Sequence, residues 1–253
     1  MIKGAVVLTI SLREIAPEAT FLMSKNNNPK RRLLEQTELS QIQQGIERFS
    51  AQVVKQRCNS RLHGKAHLAD LSGLIYPHWF IPFTHIAMHT GMRPGDIYEL
   101  LWENIDFKNQ FIQFIPKKTQ HHASPVEVCL PLTEGLQQVL LAWKKQNSNS
   151  HSSDFVFTNP KTNNRFSRTA HKKPWNRIKQ LAELNMDIDF YSLRHHFISH
   201  LVKAGLPLFT IAKLVGHKST KMIENHYGHL CHQEAQTALE MIEMSLTLNK
   251  QIR

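Results

Sequence analysis

The chain has 253 residues and a mass of 29.3 kDa, which suits one large domain or two small ones. Lysine and arginine number 31 against 20 acidic residues, giving a net charge of +11 and a pI near 9.7. This balance favours a polyanionic partner, because each neutralised phosphate releases condensed counterions. A generally basic soluble surface is the alternative. The three cysteines are scattered, which excludes a disulfide framework and favours the reducing cytoplasm.

The N-terminal region is expected to stand apart from the rest. Residues 1–12 hold a short apolar run that Arg13 and Glu14 close without a convincing small-residue cleavage site, so a strand or remnant is expected there. No other stretch approaches the ~20 apolar residues of a membrane span. Residues 25–32 are polar and basic and predict a linker. We therefore expect a short segment or linker at residues 1–29 and one domain at residues 30–253.

The first half of that domain is predicted to be helical. Thr37 can cap a helix whose apolar residues recur at steps of three and four. A second helix is predicted from about His78 to Thr90; it stops at Gly91, and Pro94 begins the next. Arg93 is therefore expected in the turn between two helices. The apolar stripe of the first helix comprises Leu39, Ile42, Ile46, Phe49 and Val53.

Extended segments are predicted next, at 111–115 and 126–130, and the polar hairpin loop between them carries Lys117 and Lys118. Downstream we expect helices at 133–145 and 167–184 and a small strand at 154–157. From Ser192 the pattern is helical, with stops at Gly205 and Gly216. The fold class is therefore predicted to be mainly α with a small antiparallel β-sheet.

A cation, an imidazole and a phenol follow in order within the last predicted helices. Arg194 lies in Tyr-Ser-Leu-Arg-His, His217 follows Gly216, and Tyr227 lies in Glu-Asn-His-Tyr-Gly-His. Arg93, in Thr-Gly-Met-Arg-Pro-Gly-Asp, supplies a second cation. Two planar guanidinium groups can grip the oxygens of a phosphate, and a phenol favoured as its anion can attack phosphorus. Taken singly, the arginines and His217 could be surface groups and Tyr227 a core residue.

These motifs, in this order, resemble the catalytic domain of the tyrosine recombinases, especially the phage-type integrases, from about Pro29 to the C-terminus. The resemblance implies the integrase catalytic-domain fold of DNA breaking-rejoining enzymes and a nucleophilic role for Tyr227. It implies that His217 contacts the phosphate and assists proton movement. Leu193, Phe197 and Leu201 are expected to face the core, which leaves Arg194 at the edge of that face. The implied catalytic set is Arg93, Lys118, Tyr191, Arg194, His217 and Tyr227, with Asp96 in support.

Three of these assignments carry alternatives. Lys118 is preferred over Lys117 as the acid that protonates the leaving oxygen; the two would point to opposite sides of an extended segment. Asp96 is expected to orient an arginine or its turn, and a helix-start carboxylate with no other role is the alternative. Tyr191 stands where the family usually has histidine or lysine, and its phenol can still donate a hydrogen bond to phosphate. A zinc site among His226, His229 and His232, with Cys231 nearby, is the weaker interpretation of that cluster.

The resemblance implies a site-specific DNA recombinase that works through a 3′-phosphotyrosyl intermediate without a cofactor. Double-stranded DNA is the expected partner, with a homotetramer on DNA and a monomer or weak oligomer without it. A type IB topoisomerase-like enzyme and an inactive DNA-binding remnant are the alternatives. The N-terminal core-binding domain of the family is expected to be absent. Beyond Tyr227, an apolar stripe is expected to dock on a neighbouring subunit or fold back: Ala235, Ala238, Leu239, Ile242 and Leu246.

Overall fold

The structure is a computed structural model that describes residues 33–121, 124–147 and 151–228. Within these ranges helices predominate over short strands, as the sequence predicted. Several expected features lie outside the described residues: the N-terminal segment, the whole linker at 25–32, the apolar stripe after Tyr227, and His229, Cys231 and His232. The helices are α1 (Gln36–Leu62), α2 (Phe80–Thr90), α3 (Pro94–Tyr98), α4 (Glu134–Gln146), α5 (Lys172–Leu181), α6 (Ser192–Lys203) and α7 (Leu208–Leu214), and residues 221–228 are also helical.

Helix α2 lies at the centre of the main core. Its residues are apolar on nearly every side, and it packs against α4, α6 and α3. Phe80, Phe83 and Ile86 are fully buried there. Helix α1 lies along α5, where Gly45 permits close contact because a Cβ at that position would come within 2.9 Å of the Ile178 carbonyl oxygen. The predicted stripe of α1 is confirmed, since its central members are buried and Leu39 and Val53 pack at the margin.

A three-stranded antiparallel sheet flanks this core. Its order is β1 (Ile105–Asp106), β2 (Phe111–Phe114) and β3 (Val128–Pro131), and Ile112 lies opposite Leu130. Both of these side chains are buried on one face, as alternation along a half-covered strand requires. The β2–β3 loop carries Lys117 and Lys118. A separate two-stranded sheet pairs β4 (Thr158–Asn159) with β5 (Asn164–Arg165).

A second hydrophobic cluster is built by α6, α7 and the helical residues 221–228. Its apolar members come from all three segments, and the ring of Tyr227 is one of them. Gly205 and Gly216 end α6 and α7 at φ +76° and +66°, as predicted. The cluster therefore fixes residue 227 against α6. Its buried residues are Ile198, Val202, Ile211, Ala212, Val215, Ile223 and Tyr227.

Three sequence expectations about element ends were wrong. Helix α1 begins before Thr37, because Glu38 accepts the backbone N–H of Glu35 at 2.8 Å and closes a capping box there. The predicted helix at 167–184 is shorter, since its first residues form turns and Glu183 adopts a positive φ of +54°. The predicted strand at 154–157 contributes one isolated bridge, Leu101 to Phe155, and β4 begins just after it.

Gly91 is predicted to be required at the end of α2. Its φ is +60°, and a Cβ there would lie 2.4 Å from Cδ1 of Phe197. A residue with a side chain costs about 1–2 kcal/mol in this left-handed backbone conformation. The clash of its Cβ with Phe197 typically adds about 1–3 kcal/mol. Gly91→Ala should therefore lower the free energy of unfolding by at least about 2 kcal/mol in urea titrations.

Gly95→Ala is the matched control. Gly95 lies in α3 at an ordinary φ, and a Cβ there meets nothing within 4 Å. Alanine at a compatible helical position leaves stability unchanged or raises it by up to about 1 kcal/mol. Equal urea midpoints for the two variants would contradict the role assigned to Gly91.

Candidate active site

The Arg194 side chain joins three elements at one point. Its side chain is buried, with the residue only 3% exposed, and its Nη1 donates to the Gly91 carbonyl at 2.7 Å. Its Nη2 donates to the Val215 carbonyl, also at 2.7 Å. These carbonyls end α2 and α7, where helices leave acceptors without internal partners and carry a partial negative charge. One guanidinium on α6 therefore caps two other helices.

The predicted edge position of Arg194 is wrong. The buried face of α6 includes Leu193, Arg194, His195, Ile198 and Val202, whereas Phe197 and Leu201 lie at the margin. A guanidinium is tolerated inside because it finds carbonyl acceptors and an imidazole there. Burial lowers the pKa of Arg194 to about 10, and Arg93 lowers it further, so the side chain remains charged at neutral pH.

His217 is held as a neutral imidazole beside Arg194. Its Nε2 lies 3.1 Å from Arg194 Nη2, and because a guanidinium can only donate, Nε2 must accept. The proton is then on Nδ1, which is buried and finds no partner among the described residues. Burial lowers the pKa of His217 to about 4, and the charges of Arg194, Arg93 and Lys118 lower it as well. At neutral pH, His217 therefore presents an N–H rather than a positive charge.

Arg93 lies in the turn before α3, as predicted. Its Nη1 is 3.7 Å from Oδ2 of Asp96 and is itself buried without a hydrogen-bond partner in the described chain. Asp96 is also buried, and its Oδ1 accepts the backbone N–H of Lys117 at 3.0 Å. Burial raises the pKa of Asp96, while that N–H and the two arginines oppose the rise. Asp96 thus links the arginine turn to the β2–β3 loop.

The two lysines of the β2–β3 loop have different surroundings. Lys117 Nζ bonds to Oε1 of Glu99, which also accepts Nε of Arg165 at 3.2 Å. Lys118 is exposed, and its charge is close enough to lower the pKa of His217. The segment is a turn rather than the extended stretch considered for it. Pro116 packs against Gly216, so this loop and the His217 turn are in direct contact.

Tyr227 is 3% exposed, and its hydroxyl forms a hydrogen bond with Nδ1 of His195. Sequence reasoning assigned no role to His195, and its adjacency to Arg194 was the one available signal. Tyr191 begins α6 and is 37% exposed. Its ring meets that of His195 edge to face, with centroids 5.0 Å apart. The structure thus brings the six predicted catalytic residues and Asp96 into one region. His217 contacts Arg194, the charges of Arg93, Tyr191, Asp96 and Tyr227 act on Arg194, and that of Lys118 acts on His217.

The arrangement suits an oxyanion rather than a metal ion. Two buried donors, Arg93 Nη1 and His217 Nδ1, lack acceptors within the described part of the chain, and the guanidinium of Arg194 lies between their elements. Buried donors without partners are costly, so an anionic oxygen supplied by a ligand would be favoured. No group of three or more potential metal ligands is found in the described residues. Among the same residues, no helix is long and apolar enough to cross a membrane.

Arg194 and Arg93 are predicted to differ sharply in their effect on stability. Arg194→Ala removes the donors of two buried carbonyls, each costing about 1–3 kcal/mol when left unpaired. We expect a loss of about 2–6 kcal/mol in the free energy of unfolding. Arg93→Ala should cost less, because among the described residues Arg93 satisfies no buried carbonyl and its ion pair with Asp96 is long, at 3.7 Å. Urea unfolding measures both, and equal losses would contradict the capping role of Arg194.

Comparison with known proteins adds three kinds of relative. The chain is 29% identical over 147 residues to the shufflon-specific DNA recombinase of Escherichia coli, covering 58% of this chain and 33% of that protein. It is 29% identical over 153 residues to the integrase of Salmonella phage P22, covering 57% and 37%. It is 31% identical over 144 residues to the tyrosine recombinase XerD of Pasteurella multocida strain Pm70, covering 54% and 46%. The chain therefore spans about a third to a half of the length of these relatives.

The fold is shared with solved recombinase structures. A post-cleavage complex of the XerH site-specific recombinase with a palindromic difH substrate matches at a TM-score of 0.59 and 17% identity, covering 95% of this chain and 60% of that one. A lambda integrase dimer on a core site matches at 0.52 and 18% identity, covering 78% and 59%. The predicted fold class is thereby confirmed. The model of the phage integrase family matches residues 32–234, and the chain belongs to that family.

Proposed function

We propose that the chain is the catalytic part of a site-specific DNA recombinase that breaks and rejoins strands through a tyrosine. The observation that carries the proposal is a pair of buried donors, Arg93 Nη1 and His217 Nδ1, that find no hydrogen-bond partner among the described residues. His217 contacts Arg194, on which the charges of Arg93 and Tyr227 also act. A phosphodiester offers two anionic oxygens to such donors. The names of the relatives, recombinase and integrase, support the same reaction.

In the proposed first step, Oη of Tyr227 attacks the scissile phosphorus and the bond from phosphorus to the 5′ oxygen breaks. Arg93, Arg194 and His217 donate to the non-bridging oxygens, where negative charge builds up in the transition state. A 3′-phosphotyrosyl bond and a free 5′ hydroxyl result. Asp96 orients the Arg93 turn, and the hydroxyl of Tyr191 contributes a hydrogen bond at the rim.

Lys118 is proposed as the acid that protonates the departing 5′ oxygen. Its neighbour Lys117 is bound to Glu99, whereas the charge of Lys118 acts on His217 at the phosphate pocket. Asp96 accepts the backbone N–H of Lys117, and Gly216 lies against Pro116, so the two residues just before Lys118 are both held. A flexible ammonium group placed there can reach a leaving oxygen and give up its proton.

The reverse of this chemistry rejoins the strands. A 5′ hydroxyl from the partner duplex attacks the phosphotyrosyl bond, so the phosphodiester energy is retained and the step uses neither cofactor nor nucleotide. Exchange between two duplexes requires four such active sites, and we therefore propose a homotetramer on double-stranded DNA. The net charge of +11 favours binding to such a partner. We place this activity in the cytoplasm, where DNA and reduced cysteines coexist.

The nucleophile can be tested without knowing the target sequence. Duplexes randomised on both sides of one 5′-bridging phosphorothiolate supply a thiolate leaving group that does not rejoin, so a covalent adduct accumulates. The unaltered protein should form an adduct that peptide mapping places on Tyr227. Tyr227→Phe should form none, yet bind the same duplex pool about as tightly, because phosphate contacts dominate affinity.

The other outcomes identify the alternatives. An adduct on Tyr191 or another tyrosine would overturn the assignment of Tyr227. Binding without any adduct by the unaltered protein would indicate a DNA-binding remnant. Relaxation of supercoiled plasmid without strand exchange between two captured duplexes would indicate a type IB topoisomerase-like enzyme.

The acid is tested with a duplex whose sequence is recovered from the covalent adducts of the unaltered protein. This duplex is made in two forms, one with the ordinary 5′ oxygen and one with 5′ sulfur at the scissile position. On ordinary DNA, Lys118→Ala should cleave about a hundredfold to ten-thousandfold more slowly, the usual cost of losing a general acid. On the 5′-thio form it should recover to near the unaltered rate, because a thiolate leaves without protonation. Lys117→Ala is the neighbouring control and should cleave ordinary DNA nearly normally. Rescue of Lys117→Ala instead of Lys118→Ala would move the role to residue 117.

A further inference from the structure

The hydroxyl of Tyr227 is bound by a histidine that the reaction described above does not use. His195 Nδ1 forms a hydrogen bond with Tyr227 Oη, and both residues are buried. The two rings lie with centroids 6.0 Å apart, and the ring of Tyr191 meets His195 from the preceding turn of α6. His195 also directly follows Arg194 in the chain. Two consecutive residues of α6 thus serve the proposed reaction: His195 contacts the proposed nucleophile, and Arg194 is the proposed phosphate ligand.

Tyr227 must lose its proton when it attacks, and few groups of the site can accept one. An arginine stays protonated, so Arg93 and Arg194 cannot serve. The Nε2 lone pair of His217 is taken by Arg194, and its Nδ1 carries the proton. Tyr191 is a phenol, which is a poor acceptor at neutral pH. His195 is an imidazole whose ring nitrogen already contacts the reacting oxygen.

We propose that His195 is a catalytic residue that takes the proton of Tyr227 as its oxygen attacks phosphorus. The inference rests on the proposed function, since it assigns the base of that reaction. It requires the tautomer with the proton on Nε2, so that Nδ1 accepts from the phenol. A base already in contact with the nucleophile satisfies the first requirement of general base catalysis, which is geometry.

The proton balance of the cycle is closed. In cleavage, the Tyr227 proton moves to His195, the oxygen–phosphorus bond of the phosphotyrosine forms, and the 5′ oxygen leaves with a proton from Lys118. The site then holds an imidazolium and a neutral amine. In rejoining, the incoming 5′ hydroxyl returns a proton to Lys118 while the departing Tyr227 oxygen regains its own from His195. No oxidant, reductant or further proton donor is consumed.

The pH dependence of cleavage reports the role of His195, and the titratable and charged groups around His195 also act on it. Tyr191 faces His195 from the same helix and Tyr227 faces it from the 221–228 segment. Arg194 adjoins it in sequence, and through Arg194 the charges of Arg93, Asp96 and His217 are coupled to the site. On the 5′-thio duplex, protonation by Lys118 is not required. The acid limb of cleavage should then reflect protonation of His195.

The decisive variant is His195→Asn. Its amide oxygen can occupy the place of Nδ1 and accept from Tyr227, but it cannot hold a proton. With the duplex captured by the unaltered protein, in its 5′-thio form, single-turnover cleavage at pH 7 should slow about a hundredfold to ten-thousandfold. The unaltered protein should reach a plateau above the acid limb. The variant should instead show no plateau and accelerate about tenfold per pH unit over the same range, because attack then requires the ionised phenol.

The matched control is His196→Asn, the next residue of α6. Nδ1 of His196 accepts the backbone N–H of Leu34 at 3.3 Å, so this histidine has a different partner from His195, which contacts Tyr227. This variant should keep the plateau and acid limb of the unaltered protein. Thermal unfolding and binding to the same duplex verify that His195→Asn is folded. If it is not, free imidazole added to His195→Ala provides the second measurement, and saturable recovery of cleavage is expected.

The outcomes separate this inference from the proposed function. An unaltered profile for folded His195→Asn, or His195→Ala that imidazole leaves unrescued, overturns the role of His195 while the Tyr227 adduct still supports the recombinase. Failure of the unaltered protein to form any adduct overturns both. A slow variant that keeps the plateau and acid limb would make His195 a positioning residue and would also overturn its role as the base.

Discussion

The buried guanidinium of Arg194 is the interaction on which the rest of the site depends. It satisfies the last carbonyls of α2 and α7 and fixes the imidazole of His217. Each of these three partners belongs to a segment that carries or adjoins another site residue: α2 leads to Arg93, and α7 leads to His217. Burying an isolated charge costs free energy, and the partial negative charges of the two helix C-termini stabilise the positive guanidinium against that cost. The same group therefore both holds these elements together and supplies positive charge to the proposed phosphate site.

Two further buried donors are the physical reason for proposing that the site binds an anion. Arg93 Nη1 and His217 Nδ1 have no acceptor in the described parts of the chain. An exposed cation can hydrogen-bond to water, so an oxyanion only replaces that water. A buried donor without a partner instead gains a full charge-assisted hydrogen bond when an oxyanion binds. The low pKa of His217 has the same origin, since it lies among three cations and away from water. A phosphate bound as proposed would neutralise part of this positive charge.

The sequence allowed prediction of the parts governed by local rules. The stripe of α1, the proline start of α3 and the glycine stops at 91, 205 and 216 follow from periodicity and backbone preference. The order of the motifs led to the family. Burial of Arg194 was not predictable from periodicity, because its acceptors are carbonyls 103 and 21 residues away. The contact of His195 with Tyr227 spans 32 residues and was missed for the same reason.

Consecutive residues of α6 serve opposite sides of the proposed reaction. Arg194 turns toward the ends of α2 and α7, while His195, about 100° further around the helix, meets the hydroxyl of Tyr227. The second hydrophobic cluster packs the Tyr227 ring against Ile198 and Val202 on the same helix. Any displacement of residues 221–228 would therefore move the Tyr227 hydroxyl relative to both groups at once. The packing of this apolar cluster thus sets how firmly Tyr227 is held beside Arg194 and His195.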